Sequence, residues 1–454
     1  MKKRITGLLL VGGLSLTLSA CQEATKLKES KAEAEPKLTL QVRNPKVEIS
    51  TQFEQMAKAY EKENPNIDIQ VETVGGATDD LADLKAQIAA GEGPDIFTNN
   101  GYEQGKLWKN LLEDLSDQPW VKQAYNETLI PMTFDEKLYG MPVNMEGYGF
   151  IYNKDLFEKA GIQTSPKTRT ELEKAAEQLQ KAGITPFANG YYEEWKLGVF
   201  LLNIAFAQQD DPDEFIKNLH SGSEKITTNQ VFKEMIDLLD LTIKYGNEQP
   251  LTTDYSMELN MFTKGEAAIL LQGNWVQPMI DQASPNMNIG FMPIPINDEP
   301  KNDALVVSVS NYWVINKQSS SEKKKEAKKF LNWMVSSTQG KSFMTEQFKF
   351  IPAFENIETN HLGPLAHDTL TYYKQGKTLS SNWFHFPVGI REEFGSSMQQ
   401  YIDNQLNRDQ LLQELQQSCP FVPSSPSVFV PMSYQFTTKF RSICDISSDS
   451  AITL

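Results

Sequence analysis

Three tryptophans and one glutamate have the surroundings expected of a site that binds a small molecule. Trp195, Trp275 and Trp383 each lie in or beside a polar loop. Glu146 lies in a stretch without other charged residues. Aromatic rings with a few polar anchors are the usual lining of a small-ligand site. The alternative for each ring is packing in the core, and the alternative for Glu146 is a structural hydrogen bond.

Sequence motifs of the common catalytic sites are absent. The four histidines have no metal-binding spacing such as H-E-x-x-H, and the chain has no G-x-G-x-x-G, Walker or G-x-S-x-G motif. We therefore expect a protein that is not an enzyme, with no catalytic residue, metal or cofactor. A secreted carbohydrate-active hydrolase stays open, since two carboxylates about 5–9.5 Å apart suffice for that chemistry. A surface sensor or adhesion protein is the third possibility.

Composition fits a large globular protein. The chain has 454 residues and a formal net charge of −16, which disfavours nucleic acid as a partner. Its cysteines are Cys21, Cys419 and Cys444. The body between the first two can form no disulfide and no thiolate metal site, so its fold must depend on a hydrophobic core.

The N-terminus has the layout of a lipoprotein signal peptide over residues 1–20. A basic start precedes an apolar run from about Leu8 to Leu18, which is too short to cross a bilayer. The ending Leu-Ser-Ala-Cys resembles a bacterial lipobox, which implies lipidation of Cys21 at the extracellular face of the cytoplasmic membrane. An ordinary signal peptide is the alternative. Residues 21–37 have the composition of a flexible tether.

Strands that alternate with helices must position the first polar candidates. Hydrophobic patterns predict strands over 38–42, 67–71 and 95–97, a helix over 49–63 and a second helix that ends at Gly91. Ligands bind beyond the carboxyl ends of strands in such sheets. The loops after the first and third strands contain the candidate ligand-binding residues Lys46, Glu48, Asn99, Asn100 and Tyr102.

Four blocks of sequence, in order along the chain, resemble the family of extracellular sugar-binding proteins of ABC importers. They are Gly-Pro-Asp-Ile-Phe at 93–97, the long block at 138–162 with Gly-Tyr-Gly-Phe-Ile-Tyr-Asn-Lys-Asp, the Phe-Thr-Lys-Gly-Glu-Ala-Ala and Gly-Asn-Trp block at 262–275, and the helical block at 326–333. The resemblance covers about residues 38–417. Arg169 is one departure, because relatives often carry a structural Trp there.

The resemblance implies an α/β fold of the periplasmic-binding-protein type, with two lobes, three hinge crossings and a ligand cleft between the lobes. We expect the crossings near residues 145–149, 291–295 and 336–341. The expected parts are 38–147 and 292–338 for the N-lobe, and 148–291 and 339–417 for the C-lobe.

The resemblance also implies function. It indicates a substrate-binding lipoprotein that captures an extracellular oligosaccharide by hinge closure and delivers it to an ABC permease. We expect a monomer whose partners are the oligosaccharide, the permease subunits and, through its lipid anchor, the membrane, with no nucleic acid. Relatives place stacking rings at the three tryptophans and an acidic sugar ligand at Glu146. The complete set of expected ligand-binding residues is Lys46, Glu48, Asn99, Asn100, Tyr102, Asn144, Glu146, Tyr148, Trp195, Trp275, Asn311, Tyr312, Trp383 and Phe384.

The C-terminal residues 418–454 differ in character from the body. They contain no Glu, and their prolines cannot continue a helix. We expect an amphipathic helix through residues 401–415 to end at Gln417. The rest is predicted to be a disordered, out-of-frame or read-through tail without a role in binding. The alternative is a true appendage held by a Cys419–Cys444 bridge.

Overall fold

The computed structural model describes residues 36–75, 80–387 and 389–419. Within them the strands are β1 (Leu38–Asn44), β2 (Ile67–Thr73), β3 (Ile96–Asn99), β4 (Thr133–Phe134), β5 (Lys137–Leu138), β6 (Met141–Pro142), β7 (Glu146–Asn153), β8 (Thr185–Ala188), β9 (Ala267–Gly273), β10 (Ile289–Met292), β11 (Leu305–Ser308), β12 (Tyr312–Ile315) and β13 (Thr378–Leu379).

The α-helices in the same residues have the following bounds. They are α1 (Ser50–Glu63), α2 (Asp80–Ala90), α3 (Tyr102–Trp108), α4 (Asn126–Leu129), α5 (Lys154–Lys159), α6 (Arg169–Lys181), α7 (Leu202–Ala207), α8 (Pro212–Ser221), α9 (Gln230–Lys244), α10 (Tyr255–Thr263), α11 (Gln277–Ala283), α12 (Ser321–Ser336), α13 (Thr338–Ser342), α14 (Pro364–Lys374), α15 (Ile390–Ile402) and α16 (Arg408–Ser418).

The first sheet has the strand order β2-β1-β3-β12-β6. β1 pairs in parallel with β2 and β3, whereas β12 is antiparallel to β3 and β6. Helix α1 buries Phe53, Met56, Ala57 and Tyr60, which share one face at helical spacing. The strands and helices predicted for residues 38–99 are confirmed to within a few residues.

The second sheet is built around β7. Its order is β13-β11-β7-β9-β8, and β10 also pairs with β7. β7 is antiparallel to β9, β10 and β11, and β8 runs parallel to β9. Both β7 and β9 are buried along almost their whole length, because helices such as α10 and α14 pack against this sheet. The second sheet therefore forms the core of a second α/β lobe.

Strand pairing corrects the second predicted crossing. The chain leaves the first sheet after Pro142 and joins the second at Glu146, at the edge of the predicted range 145–149. β11 pairs with β7 in the second sheet. The return to the first sheet therefore falls between Ser308 and Tyr312, not at 291–295. The apolar run of β11 would suit a buried strand of either sheet, so its pattern could not place it.

The third predicted crossing, at 336–341, is also too early. Phe348 stacks on Phe53 of α1, and Phe354 forms a β-bridge with Ala124. Both contacts keep the chain with the first lobe. The chain reaches the second lobe only at α14, which packs on β7, β10 and β11. The predicted boundaries at 291/292 and 338/339 move later accordingly.

The C-terminal helical region is two helices rather than one. Asn404 has a left-handed backbone (φ 58°), and Asn407 forms a capping box with Gln410 at the start of α16. α16 continues to Ser418, and Cys419 is buried against the core. The predicted end of the body at 417 is therefore too early by two residues.

Several predictions concern residues outside the described ranges. These are the signal peptide, Cys21, the tail beyond Cys419, and Cys444 with its possible bridge. Among the described residues, no helix has the length and apolar character needed to span a bilayer.

Candidate ligand-binding site

A short turn after β1 presents two charged side chains. Asn44 Oδ1 accepts a hydrogen bond from the Lys46 N–H (3.1 Å), and Asn44 Nδ2 donates to the Lys46 carbonyl (2.9 Å). The turn Val47–Ile49 then carries Glu48. Asn44, Lys46 and Glu48 are all buried. The Asn side chain thus imitates backbone turn bonds and fixes where the charges point.

Lys46, Glu48 and Glu146 form an ion cluster that joins the two sheets. The Lys46 ammonium donates to Glu146 Oε1 at the start of β7, and it lies 3.8 Å from Glu48 Oε1. Burial would lower the pKa of Lys46, but the Glu146 and Glu48 carboxylates hold this pKa above its ordinary 10.5. Burial raises the pKa of Glu48 to about 7 against the attraction of Lys46. This ion cluster spans the gap between the lobes.

Five rings of the second lobe form an aromatic wall: Tyr148, Trp195, Phe200, Tyr255 and Trp275. The Phe200 ring is central, with centroid distances of 4.5 Å to Tyr148, 4.9 Å to Trp195 and 5.4 Å to Trp275. Tyr255 lies 6.4 Å from Trp195. Three of the rings were predicted. Sequence reasoning missed the other two. Phe200 lies in an apolar run and Tyr255 is the first residue of α10, and neither position indicates a binding site.

The aromatic wall lies beside the ion cluster. The Val47–Ile49 turn contacts α11, the helix that follows Trp275. Burial and the nearby Glu48 carboxylate raise the pKa of Tyr255 well above its ordinary value. The two groups of residues thus meet where the lobes face each other.

Three buried polar groups of the candidate site have no hydrogen-bond partner among the described residues. They are Tyr255 Oη in the aromatic wall, Asn274 Nδ2 next to Trp275, and Tyr312 Oη on β12, the strand residue that pairs with Asn99. Asn274 uses its Oδ1 to accept from the Gly147 N–H (2.8 Å), next to Glu146. Buried polar groups almost always have partners, so these three are suited to a ligand that carries hydrogen-bonding groups. Sequence reasoning predicted Tyr312 and missed Asn274, although it stands next to Trp275.

A second cluster of polar residues follows β3. Asn99 Oδ1 accepts from the Gly101 N–H (2.8 Å), and Asn100 Nδ2 donates to the Ser310 carbonyl (2.8 Å). Tyr102 reaches across to the second lobe, with ring centroids 6.2 Å from Phe384 and 4.5 Å from His385. Asn100 Nδ2 also lies 3.4 Å from Asn311 Oδ1. The predicted residues of this region are therefore close together.

Two predicted residues use their polar groups within the protein. Asn144 Nδ2 donates to the Met145 carbonyl (3.2 Å). The Tyr148 hydroxyl donates to the Phe200 carbonyl (3.3 Å) and accepts from Asn203 (3.1 Å). Tyr148 therefore offers its ring rather than its hydroxyl. The side chain of Trp383 lies outside the described part of the chain, so its role stays a prediction.

Buried charges stand behind the aromatic wall, and sequence reasoning did not find them. Lys196 Nζ donates to Glu258 Oε1 (2.5 Å) and lies 3.1 Å from Glu193 Oε2. Gln272 Nε2 donates to Glu258 Oε1 (2.6 Å). Burial raises the pKa of Glu258 to about 7 against the pull of Lys196. The sequence feature that could have indicated these buried charges is Lys196, a lysine that directly precedes a long apolar run. Among the described residues, no group of three or more His, Cys, Asp or Glu side chains could hold a metal ion.

Known proteins are similar to this chain in sequence or in fold. The multiple sugar-binding protein of Streptococcus mutans is 25% identical over 346 residues, which cover 74% of this chain and 79% of that protein. An uncharacterised ABC transporter extracellular-binding protein of Pyrococcus horikoshii is 30% identical over 319 residues, 65% of this chain and 70% of that protein. A solved solute-binding protein in complex with raffinose superimposes with a TM-score of 0.72 at 23% identity, covering 84% of this chain and 98% of that one.

The fold and the family agree. The two sheets with their helices match the two-lobed α/β architecture of the solved solute-binding proteins. The family profile for bacterial extracellular solute-binding proteins matches residues 44–341, which include the ion cluster and the aromatic wall. The chain belongs to the bacterial extracellular solute-binding protein family.

Proposed function

We propose that the protein is the substrate-binding component of an ABC importer and that its ligand is an oligosaccharide of two or more sugar rings. The observation that carries this proposal is the aromatic wall beside the buried ion cluster. The names of two similar proteins, the multiple sugar-binding protein and the complex with raffinose, support the class of ligand.

Each half of the site suits one half of sugar chemistry. A pyranose has C–H faces that pack on flat rings, and the wall offers Trp195 and Trp275 for this contact. The hydroxyl groups of the pyranose need strong hydrogen-bond acceptors and donors. Glu48, Glu146 and Lys46 supply charged ones, which form hydrogen bonds of about 1.5–3 kcal/mol. The uncommitted Asn274 amide adds a donor.

Closure of the two lobes is the proposed means of capture. Groups on both sheets would contact the sugar, so binding favours the conformation that brings the lobes together. The segments between Pro142 and Glu146, between Ser308 and Tyr312, and between Phe354 and Pro364 are the places where the chain changes lobe. Rotation about these segments moves one lobe against the other while each core stays packed.

Location and delivery complete the proposal. Lipidation of Cys21 would hold the protein at the extracellular face of the cytoplasmic membrane, where an ABC permease receives the sugar. The protein would act there as a monomer. Palmitate labelling of the wild type and of Cys21→Ser tests the anchor, with label expected only in the wild type.

Calorimetry against a panel of di-, tri- and tetrasaccharides tests the binding function. We expect at least one neutral oligosaccharide to bind with a dissociation constant near or below one micromolar, about −8 kcal/mol. The same mixtures are assayed for new reducing ends. Release in proportion to protein concentration would show a hydrolase instead, and an absence of binding across the panel would reject the proposal.

A further inference from the structure

Four buried side chains behind the aromatic wall form what we call the support cluster: Glu193, Lys196, Glu258 and Gln272. None of them is more than 3% exposed. Lys196 lies between the two carboxylates, at 2.5 Å from Glu258 Oε1 and 3.1 Å from Glu193 Oε2. The Gln272 amide donates to Glu258 at 2.6 Å. The cluster therefore forms one connected network of polar contacts.

This network contacts three rings of the wall. Gln272 Oε1 accepts from the Trp275 indole N–H at 3.1 Å. Glu193 Oε1 accepts from the Tyr255 backbone N–H at 2.9 Å. The Lys196 ammonium lies 5.3 Å from the centroid of the Tyr255 ring and 5.4 Å from that of Trp195. Gln272 thus anchors the Trp275 ring, and Lys196 anchors the Tyr255 and Trp195 rings together.

Packing leaves the cluster and the indole little freedom. A Cβ atom at Gly273 would lie 1.9 Å from the Trp275 ring, so the indole rests directly on the glycine backbone. A Cβ at Gly190 would lie 2.3 Å from Glu258 Oε2 and 2.7 Å from Lys196 Nζ. Glycine is thus required at both positions for this close approach. The Trp275 ring is held on one face by backbone and at its N–H edge by Gln272.

Stability alone does not account for this arrangement. Buried ion pairs cost much desolvation free energy, and apolar replacements of similar volume are often neutral or stabilising. In some proteins such buried polar groups instead fix one register or one conformation. A site that stacks sugar rings needs one fixed conformation, since binding is strongest when the side chains are already in place.

We propose that the support cluster sets the orientation of the aromatic wall, and that Gln272 is a positioning residue for sugar recognition that does not touch the sugar. The sugar part of this inference rests on the proposed function. Gln272 acts through the Trp275 indole, and Lys196 and Glu258 act through Gln272 and Tyr255. Removal of the Gln272 amide frees the indole to turn away from the ligand while the apolar core stays intact.

Gln272→Met tests the inference, with Gln208→Met as the matched control. Gln208 is equally buried, but its side-chain amide donates a hydrogen bond to the Lys301 carbonyl and not to a residue of the wall or the support cluster. In protein labelled with ¹⁵N-tryptophan and without sugar, the Trp275 indole resonance is identified by its loss in Trp275→Phe. We expect this resonance to move and broaden in Gln272→Met only. Calorimetry should show about tenfold weaker sugar binding for Gln272→Met and wild-type affinity for Gln208→Met.

The outcomes separate the inference from the proposed function. An unchanged Trp275 resonance in Gln272→Met overturns the inference, whatever the protein binds. A shifted resonance with full sugar affinity overturns the positioning role. A wild-type protein that binds no sugar rejects the proposed function. Broadening of the Trp275 resonance, which reports exchange of the ring between orientations, then decides the orientation by itself. If Gln272→Met does not fold, Gln272→Asn keeps an amide that is too short for the indole, and the same two readouts apply.

Discussion

The turn that carries Lys46 and Glu48 and the aromatic wall are built in opposite ways. Lys46 and Glu48 stand on a turn that is fixed by Asn44, two residues away from Lys46. The wall is fixed by contacts between distant parts of the chain, such as Lys196 with Glu258, 62 residues apart. Local sequence thus sets the turn that carries Lys46 and Glu48. Tertiary packing brings Glu146 to this turn from 100 residues away and also sets the aromatic wall.

This contrast predicts different sensitivities. The wall contributes apolar contact area, which depends little on salt or pH. The ion cluster contributes charged hydrogen bonds, whose strength depends on protonation and on the loss of water. Substitutions in the two halves should therefore differ in both the size and the pH dependence of their effects.

The largest expected effect is that of Trp275→Ala on sugar binding. Removal of a central buried ring should weaken binding by about 2 kcal/mol or more, roughly 30-fold in the dissociation constant. Trp333→Ala is the control, because Trp333 is buried to a similar degree but packs on Tyr60 in the first lobe. We expect it to lower the melting temperature and keep the affinity. If Trp275→Ala instead loses stability and keeps its affinity, the ring is core filling.

Glu146→Gln should have the next largest effect. A neutral amide accepts a weaker hydrogen bond than a carboxylate, and Lys46 loses its closest anionic partner. Calorimetry should therefore show binding weakened by about 1.5 kcal/mol, roughly tenfold. Glu326→Gln is the control. It changes a buried carboxylate that accepts a hydrogen bond from Tyr60 Oη at 2.6 Å in the first lobe. Equal losses of affinity in the two variants would contradict a direct role for Glu146.

The contrast also explains what the sequence could and could not predict. Lys46 and Glu48 could be predicted as site residues because alternating strands place the end of β1 at the ligand edge of a sheet. The support cluster was missed because Glu258 and Gln272 meet only when α10 packs on β9, which no local pattern encodes. Phe200 was missed because it lies in an apolar run that is typical of a core segment, and only the folded structure brings it next to Tyr148, Trp195 and Trp275.

The crossings show the same limit at the level of the fold. Hydrophobic alternation identified the βαβ units of the first lobe, since both the strand and the helix period are local. It could not assign β11 to a sheet, because Leu305–Ser308 is apolar enough for either. Only its pairing with β7 decides the matter.

A smaller effect is expected on the pH dependence of stability. Burial raises the folded-state pKa of Glu48 and Glu258 to about 7, above the ordinary 4.5. Between these values the folded protein holds more protons than the unfolded chain. The contribution of both groups to the free energy of unfolding is therefore greatest below pH 4.5 and falls as the pH rises to about 7.

Urea unfolding between pH 4.5 and 7.5 measures this effect. Glu48→Gln tests the ion cluster, and Glu258→Gln tests the support cluster. Each should make the decline of stability with pH shallower, and the double variant should be shallower still. Carboxyl groups with a lowered pKa, such as Asp303, titrate below 3.8 and do not act in this window. Burial lowers the pKa of His385 from 6.5 to about 4, so His385 contributes to stability with the opposite sign, equally in the wild type and in the variants. A double variant with the wild-type slope would show that neither carboxyl is protonated in the folded state.

The smallest expected effect concerns the end of the second lobe. Cys419 is buried beside α16, whose Leu411, Leu412 and Leu415 belong to the same core. A chain that ends at Cys419 should keep wild-type sugar affinity and melting temperature, because residues 420–454 are predicted to have no role in binding. A chain that ends at Gln417 loses one small buried side chain, at about 1 kcal/mol, and should melt about 2 °C lower with its affinity unchanged. A loss of several degrees in the chain that ends at Cys419 would show instead that residues 420–454 pack on the fold and form a true appendage.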